Sequence, residues 1–244
     1  MSQNIMCWEQ EPDALFVNRR PLIKKAVLES SSDVIGFQEV KPNWTQWLSE
    51  DLVGFENYTV YRDKNRPEGT PIYWKTDKLD VMDKGHFWLS ETPEKESIGW
   101  DAHCLRIACW ILFKCKDDGK EFVFVNTHLD HRGEQARING INLICDFIKE
   151  KFGNIPLILT GDFNATPDSS TIKAANELLT DARTACGILE FEPTYHGFEK
   201  KVNSVIDYIY LSSGVKCKGF TTVKKQDGVT VQSDHYGLVA EIEI

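Results

Sequence analysis

The sequence predicts an α+β layered sandwich, and three observations lead there. Short β-prone runs follow one another along most of the chain, separated by charged turns, and helical stretches interrupt them rather than alternating strictly with them. The final run "GLVAEIEI" sets Leu238, Ala240, Ile242 and Ile244 against Val239, Glu241 and Glu243, the period of a strand with one buried face. With 244 residues, 41% of them apolar and 11% aromatic, the chain can bury a substantial core. No repeat, low-complexity tract or linker divides it, so one domain over residues 1–244 is expected.

In chain order, "NRRPLIKKAVLESS" places Leu22, Ile23, Ala26 and Val27 on one helical stripe, and "DVIGFQEV" follows as a short strand. "NYTVYR", "TPIYWK" and "KLDVMDKGHFWLS" read as further strands. "IACWILFKC" and "FVFVNTHL", joined through "DDGKE", read as a hairpin. "ARINGINLICDFIKEKFG" repeats apolar residues at Ile138, Ile141, Cys145 and Ile148, an amphipathic helix that Gly153 would stop. "IPLILT" and "SVIDYIYLSS" are strands before the last one.

Charge and cysteine usage narrow the function classes. Lys and Arg total 28 against 37 Asp and Glu, a formal charge of -9, which argues against sequence-independent binding to a long polyphosphate backbone. "NRRPLIKK", with Arg19, Arg20, Lys24 and Lys25, is either a local basic patch or a solvated helix face. The seven cysteines are scattered and lack any CxxC, so they read as reduced thiols in a reducing, cytoplasmic compartment. No apolar run is long enough for a membrane span, the first residues do not resemble a leader, and no protein partner can be inferred.

Several strands end in residues that stability alone would not select. Glu39 closes "DVIGFQE", His128 and Asp130 follow "FVFVNT", Asp162 and Asn164 follow "PLILTG", and Asp234 with His235 precedes the last strand. Gathered on one rim, these would make a hard-cation site with proton-transfer groups. Each also has a plainer reading: Glu39 as a solvated strand end, Asp162 and Asn164 as Asx turns before Pro167, and the histidines as hydrogen-bonded structural groups. Asp207, inside the apolar run "VIDYIYL", resists that treatment, because a buried acid needs an imidazole or a metal beside it.

Taken together, "NI" at Asn4, "GFQE", "NTHLDH", "TGDFNATPDS", "IDYIY" and "SDHYGL" resemble, in order and over nearly the full length, the endonuclease/exonuclease/phosphatase superfamily of metal-dependent phosphoesterases. "HFWLSETPE", "GWDAHCLRIACW" and "PTYHGF" are similar to an uncharacterised, largely bacterial branch of it. The resemblance implies a four-layer sandwich, two packed, mostly antiparallel sheets flanked by helices, with the site at one edge.

It further implies that Glu39 is the principal ligand of a divalent cation, Mg2+ or Mn2+, with Asn4 and Asp234 as direct or water-mediated contacts. Asp162 would orient and deprotonate the attacking water, Asn164 would hold that water or a phosphate oxygen, and His128 would contact the phosphate or the leaving oxygen. His235 would stabilise a nonbridging oxygen while Asp207 fixes its ring. Arg106 is a candidate phosphate clamp or else a surface ion pair, and Asp130, His131 and His196 would lie on the rim. Gly161 is expected to give the chain a sharp exit from its strand. Only three residues precede Asn4, so a shortened first strand could disturb its placement.

The shared motifs specify phosphoester hydrolysis but not the ester. The expected substrate is a small or single-stranded phosphorylated molecule, handled by a phosphodiesterase or phosphomonoesterase, with a DNA or RNA nuclease as the alternative. Trp74, Phe87, Trp88, Trp100 and Trp110 could supply stacking surfaces, although large aromatics mostly pack cores. A binding protein without turnover would be expected to lack a metal ligand or an acid/base residue, and here each motif position is filled. A calcineurin-like metallophosphatase would need a downstream "GNH" and a zinc hydrolase an HExxH, and the chain has neither.

Overall fold

A computed structural model describes residues 1–7, 13–198, 203–224 and 231–244, without the side chains of residues 13–16. The first sheet contains β1 (Ser2–Asn4), β2 (Val34–Gln38), β3 (Phe55–Tyr58), β4 (Ile72–Lys75), β11 (Lys216–Val223) and β12 (Gly237–Glu243), in the order β11-β12-β1-β2-β4-β3. The second contains β5 (Leu79–Trp88), β6 (Ile107–Cys115), β7 (Glu121–His128), β8 (Leu157–Asp162), β9 (Thr180–Asp181) and β10 (Asp207–Leu211), in the order β5-β6-β7-β8-β10-β9. Helices α1 (Asp13–Ser30) and α2 (Pro42–Asp51) pack on the first sheet, α3 (Glu134–Phe152) and α4 (Ser170–Leu178) on the second, and the short α5 (Ala182–Ala185) follows β9.

Alternation along the strands builds the layers. Val34, Ile72 and Trp74 face Ile111, Phe113, Phe122 and Phe124 between the sheets, while Ile35, Phe37 and Tyr73 face outward onto Ile23, Ala26, Trp44 and Leu48 of α1 and α2. On the far side Val123, Val125, Leu157 and Leu159 meet Ile141, Ile144 and Ile148 of α3. Each such fully buried aliphatic contributes roughly 1.5–3 kcal/mol. The predicted sandwich is therefore present as helix, sheet, sheet, helix. Most strand pairs are antiparallel, but β1–β2 and β7–β8 are parallel.

Some expectations need correction. The buried stripe of α3 is Ala136, Gly140, Ile141, Ile144 and Ile148, with Ile138 and Cys145 only half-buried at its flanks. Three residues suffice for β1, because it lies between β2 and β12 in the sheet interior and is buried throughout. The thiols are not all reduced: Cys186, at the end of α5, and Cys217, on β11, form a disulfide with a Cα–Cα distance of 5.4 Å. Packing of α5 on β11 brings together residues that spacing alone does not pair, and cysteine usage then no longer argues for a reducing compartment. No helix among the described residues is long and apolar enough to cross a membrane.

The basic stretch of α1 is dispersed rather than assembled into a patch. Arg19 is buried and donates to the carbonyls of Ile5 and Met6, and Arg20 and Lys24 pair with Asp51 of α2. Trp74, Phe87 and Trp110 are core residues, whereas Trp88 and Trp100 are half-buried.

Candidate active site

Strand register sets the site. Along the second sheet His128, Asp162 and Asp207 pair in one row across β7, β8 and β10, and in the first sheet Asn4 pairs with Gln38, one residue before Glu39. Asp207 is thus the first residue of β10 rather than an interior one. Antiparallel β12 begins just after Asp234 and His235, so all these side chains reach the same rim.

Two glycines let the sheets and strands come close enough. A Cβ on Gly36 would meet Asn126 and Thr160 of the opposite sheet. Asn126 donates to the carbonyl oxygens of Phe37 at 2.7 Å and Pro71 at 3.1 Å and accepts from Gln38 Nε2 at 2.7 Å, so a buried polar staple joins the sheets directly beneath Glu39. Gly161 lies within β8, where a Cβ would strike the carbonyl oxygen of Thr127; close strand approach, not a sharp exit, requires glycine there. The exit comes at Asn164, with φ of 48°, and Glu39 likewise adopts a left-handed φ of 60°. Non-glycine residues in this region are strained and cluster at functional sites.

Asp162 is the hub. Its Oδ2 accepts from Asn4 Nδ2 at 3.0 Å and lies 3.5 Å from His128 Nε2 and 3.8 Å from His235 Nε2. Its Oδ1 accepts from Asn164 N at 2.9 Å, so the Asx turn exists and also orients the carboxylate. Burial, reinforced by the charge of Asp207, pushes the Asp162 carboxyl up to about 7. Asn164 Nδ2 lies 3.0 Å from His128 Nε2 and donates to Leu129 O at 3.1 Å. Burial and the neighbouring charges of Arg106 and Arg62 hold His128 well below the usual histidine range, hence neutral.

His235 is different. Its Nδ1 lies 2.9 Å from Asp207 Oδ2, both residues being buried. Burial alone would lower its pKa, but the charge and hydrogen bond of Asp207, followed by Asp162 and Asp234, raise it to about 10, so the ring is an imidazolium. Asp207 is itself fixed by Thr194 Oγ1, which accepts from its backbone N at 3.0 Å, and by Arg183, which donates to its carbonyl at 3.1 Å.

Glu39 accepts from Asn4 Nδ2 at 3.0 Å and from Cys7 N at 2.8 Å. Burial pushes its carboxyl up, but these hydrogen bonds and the positive His235 bring it below its ordinary value. Burial raises Asp234, whose Oδ1 lies 4.0 Å from His235 Nε2. Ligand atoms of Glu39, His128 and Asp162 lie within 4.8 Å of one another. A crowd of carboxylates with Asp162 displaced toward neutrality is one that a divalent cation would relieve, and the oxygen donors suit a hard ion.

Arg106 is buried at 4% exposure, not a surface pair. It lies 3.6 Å from Asp130 and 3.2 Å from His131 Nδ1, and its Nε and Nη1 have no hydrogen-bond partner. It lines, with Glu39, His128, Asp162, Asn164 and His235, a pocket of about 370 Å³. His131 is on that rim, but His196 is outside the pocket lining and Asp130 acts as a turn anchor, accepting from the backbone N of Cys104, Arg132 and Gly133. Sequence reading missed Arg62 and Glu68, which also line the pocket and pair at 2.6 Å, with Glu68 3.9 Å from His128 Nδ1. Within "YRDKNRPEG" nothing separates them from an ordinary charged turn.

A model of the Endonuclease/Exonuclease/phosphatase family matches residues 10–235. The chain belongs to that family. Among solved structures, the family member from Bacteroides vulgatus superposes with a TM-score of 0.92 at 32% identity, covering 100% of this chain and 97% of that one. A mannosyl-6-phosphatase of Bacteroides thetaiotaomicron gives 0.88 at 32% identity, covering 100% and 98%. Nocturnin of Drosophila melanogaster is 30% identical over 167 residues, 62% of this chain and 24% of that protein. Carbon catabolite repressor protein 4 homolog 3 of Arabidopsis thaliana is 22% identical over 156 residues, 62% of this chain and 33% of that protein, so the chain spans a minor part of both curated relatives. One solved neighbour is thus named as a phosphatase, and a divalent-cation site fits the family's general chemistry.

Proposed function

We propose that the protein is a Mg2+- or Mn2+-dependent phosphoester hydrolase acting on small phosphorylated substrates, and that it cleaves monoesters in preference to diesters. The observation that carries this is the convergence on Asp162 in one pocket: His128 and His235 stand 3.5 and 3.8 Å from its Oδ2, and Asn4 Nδ2 bridges it to Glu39. A carboxylate beside a cation site and two imidazoles is placed to accept a proton from an attacking water. The similarity to a mannosyl-6-phosphatase along the whole chain supports a monoester.

Glu39 would hold the cation, with Asn4 and Asp234 beside it; the ion supplies charge neutralisation at a phosphate oxygen. Asn4 Nδ2, shared between Glu39 and Asp162, fixes the spacing of the two carboxylates. Asp162 takes a proton from water as the water oxygen bonds to phosphorus, Asn164 positions that water, and the ester P–O bond breaks on the opposite side, the departing oxygen taking a proton from solvent. His235, kept charged by Asp207, donates from Nε2 to a nonbridging oxygen as charge accumulates. His128 contacts the phosphate or the leaving oxygen, and Arg106 Nη1, which has no hydrogen-bond partner, takes a further phosphate oxygen.

A nuclease is the weaker reading, since the basic residues of α1 are engaged with backbone carbonyls or acids. A binding protein without turnover is disfavoured because the base, both imidazoles and the carboxylates converge. The test is hydrolysis of an aryl monophosphate, a bis-aryl diester and single-stranded DNA with Mg2+ or Mn2+. Cation-dependent monoester cleavage that falls by roughly 100-fold or more in Asp162→Asn supports the proposal, whereas exclusive cleavage of DNA, or full activity of the variant, refutes it.

A further inference from the structure

The pocket above Asp162 continues into a larger groove of about 1060 Å³, and the two share Arg62, Glu68 and Cys104 in their walls. We propose that this groove is the leaving-group subsite and that it takes a neutral, polyhydroxylated ring, which makes the substrate a sugar-like phosphomonoester. The inference rests on the hydrolase reading above and adds the residues that choose the ester.

Position comes first. Glu68, which lines both cavities, lies 3.9 Å from His128 Nδ1, so the groove opens directly off the phosphate pocket and offers room for the organic part of the ester. Its wall is held in place before a ligand arrives. Arg62 donates to Leu105 O at 3.1 Å and to Glu68 at 2.6 Å, Trp88 Nε1 donates to Arg62 O at 3.1 Å, and Asp63 accepts from Asn65 N at 2.7 Å. Pre-organised walls reduce the ordering cost of binding.

The lining chemistry then selects the ligand. Asn43, Trp47, Asp63, Asn65, Arg66 and His103 present amides, a carboxylate, a guanidinium and an imidazole. This mixture of donors and acceptors matches hydroxyl groups, which both donate and accept. Charges in the lining are mixed: Arg62 is taken by Glu68, and Asp63 stands among Lys41 and Arg66, so the groove lacks the uninterrupted basic track that a polynucleotide backbone requires. Trp44 and Trp47 both line the groove, but they meet edge-on at 69° and Trp47 has the Arg20 guanidinium 4.8 Å from its ring centroid. Two rings set edge-on cannot hold a base between them, whereas one indole face beside polar groups suits the C–H face of a sugar. The volume is of the order that holds a small molecule of one or two rings.

The test uses the full chain with Mg2+, comparing a hexose 6-phosphate, an aryl monophosphate and a single-stranded DNA hexamer, in the parent and in the double variant Asn43→Ala/Asn65→Ala. The parent should prefer the hexose phosphate, and the double variant should lower that preference over the aryl ester by roughly 10-fold, as loss of two hydrogen bonds implies. Calorimetry on the Asp162→Asn protein should show the hexose phosphate binding about 10-fold more tightly than inorganic phosphate, with the difference gone when the two groove residues are also changed. Aryl ester hydrolysis with no gain from the sugar overturns the groove assignment and leaves the hydrolase reading standing. Groove-dependent binding of the sugar phosphate with no hydrolysis of any ester supports the groove and overturns the hydrolase reading. A preference for the hexamer that the double variant abolishes overturns the sugar assignment.

Discussion

Changing Asp207 to Asn should leave the shape of the site intact and remove the charge that keeps His235 protonated. The two side chains meet at 2.9 Å and are both buried, so solvent cannot substitute for the lost carboxylate. With the pKa of His235 now at about 10, losing the leading favourable influence lets burial pull the ring toward neutrality near pH 7. Asp207 Oδ1 has no hydrogen-bond partner, so nothing dictates which end of the new amide faces the imidazole, and an NH2 turned toward Nδ1 would impose the wrong tautomer. Loss of one charged donor to the transition state costs about 3–4 kcal/mol, or roughly 100- to 1000-fold in kcat. The assay is kcat from pH 5.5 to 9 on a monoester with saturating Mg2+, alongside the NMR titration of the His235 ring. The linkage has a definite sign: because the folded pKa is raised, the stability it contributes is full below about 6.5 and is lost as pH rises through about 10. The metal-free parent should lose stability over that window and the variant should not. Unchanged kcat with an unchanged ring titration would refute the reasoning.

Other changes test separate parts of the account. Glu39→Gln should weaken Mn2+ binding by at least about 10-fold and abolish the cation-induced gain in Tm, read by calorimetry and thermal melting. Gly36→Ala forces a methyl against Asn126 and Thr160 and should destabilise the fold by about 1–3 kcal/mol in denaturant titration. Cys186→Ser, which opens a loop spanning a separation of 31 residues, should cost about 2–4 kcal/mol with little change in kcat at low temperature. For Asp162 the folded pKa is raised from 3.8 to about 7, so its contribution to metal-free stability is lost as pH rises between those values, and the Tm gain from Mg2+ should grow over the same range.

The layers and the rim were readable from the sequence because each depends on local chemistry. Short β-prone runs bounded by turns identified β2, β6, β7 and β8, alternation identified β12, and the polar residues closing several of these runs in family order picked out Glu39 and Asp162 as candidates for one rim. What escaped was set by tertiary neighbours. β11 mixes polar and apolar residues on both faces, and β9 is two residues long, so neither carries a period. Helices α2 and α4 did leave signals, Pro42 in the first turn of one and Ser169 capping the other through Ile172 N. Gln38 and Asn126 could have been noticed as amides within buried strands, but their pairing across the sheets required coordinates. Arg62, Glu68 and the Cys186–Cys217 bridge have no signature beyond residue type.

The most direct measurement of the central claim is the anomalous scattering from a crystal of the protein soaked in Mn2+ and inorganic phosphate. The account predicts a manganese peak at about 2.0–2.2 Å from a Glu39 carboxylate oxygen, with a phosphate oxygen hydrogen-bonded to His235 Nε2 and another facing Arg106. Manganese bound instead at Cys104, Asp130 and His131, a described group of closely spaced ligand atoms that shares no residue with the Glu39 site, with no phosphate near His235, would contradict it.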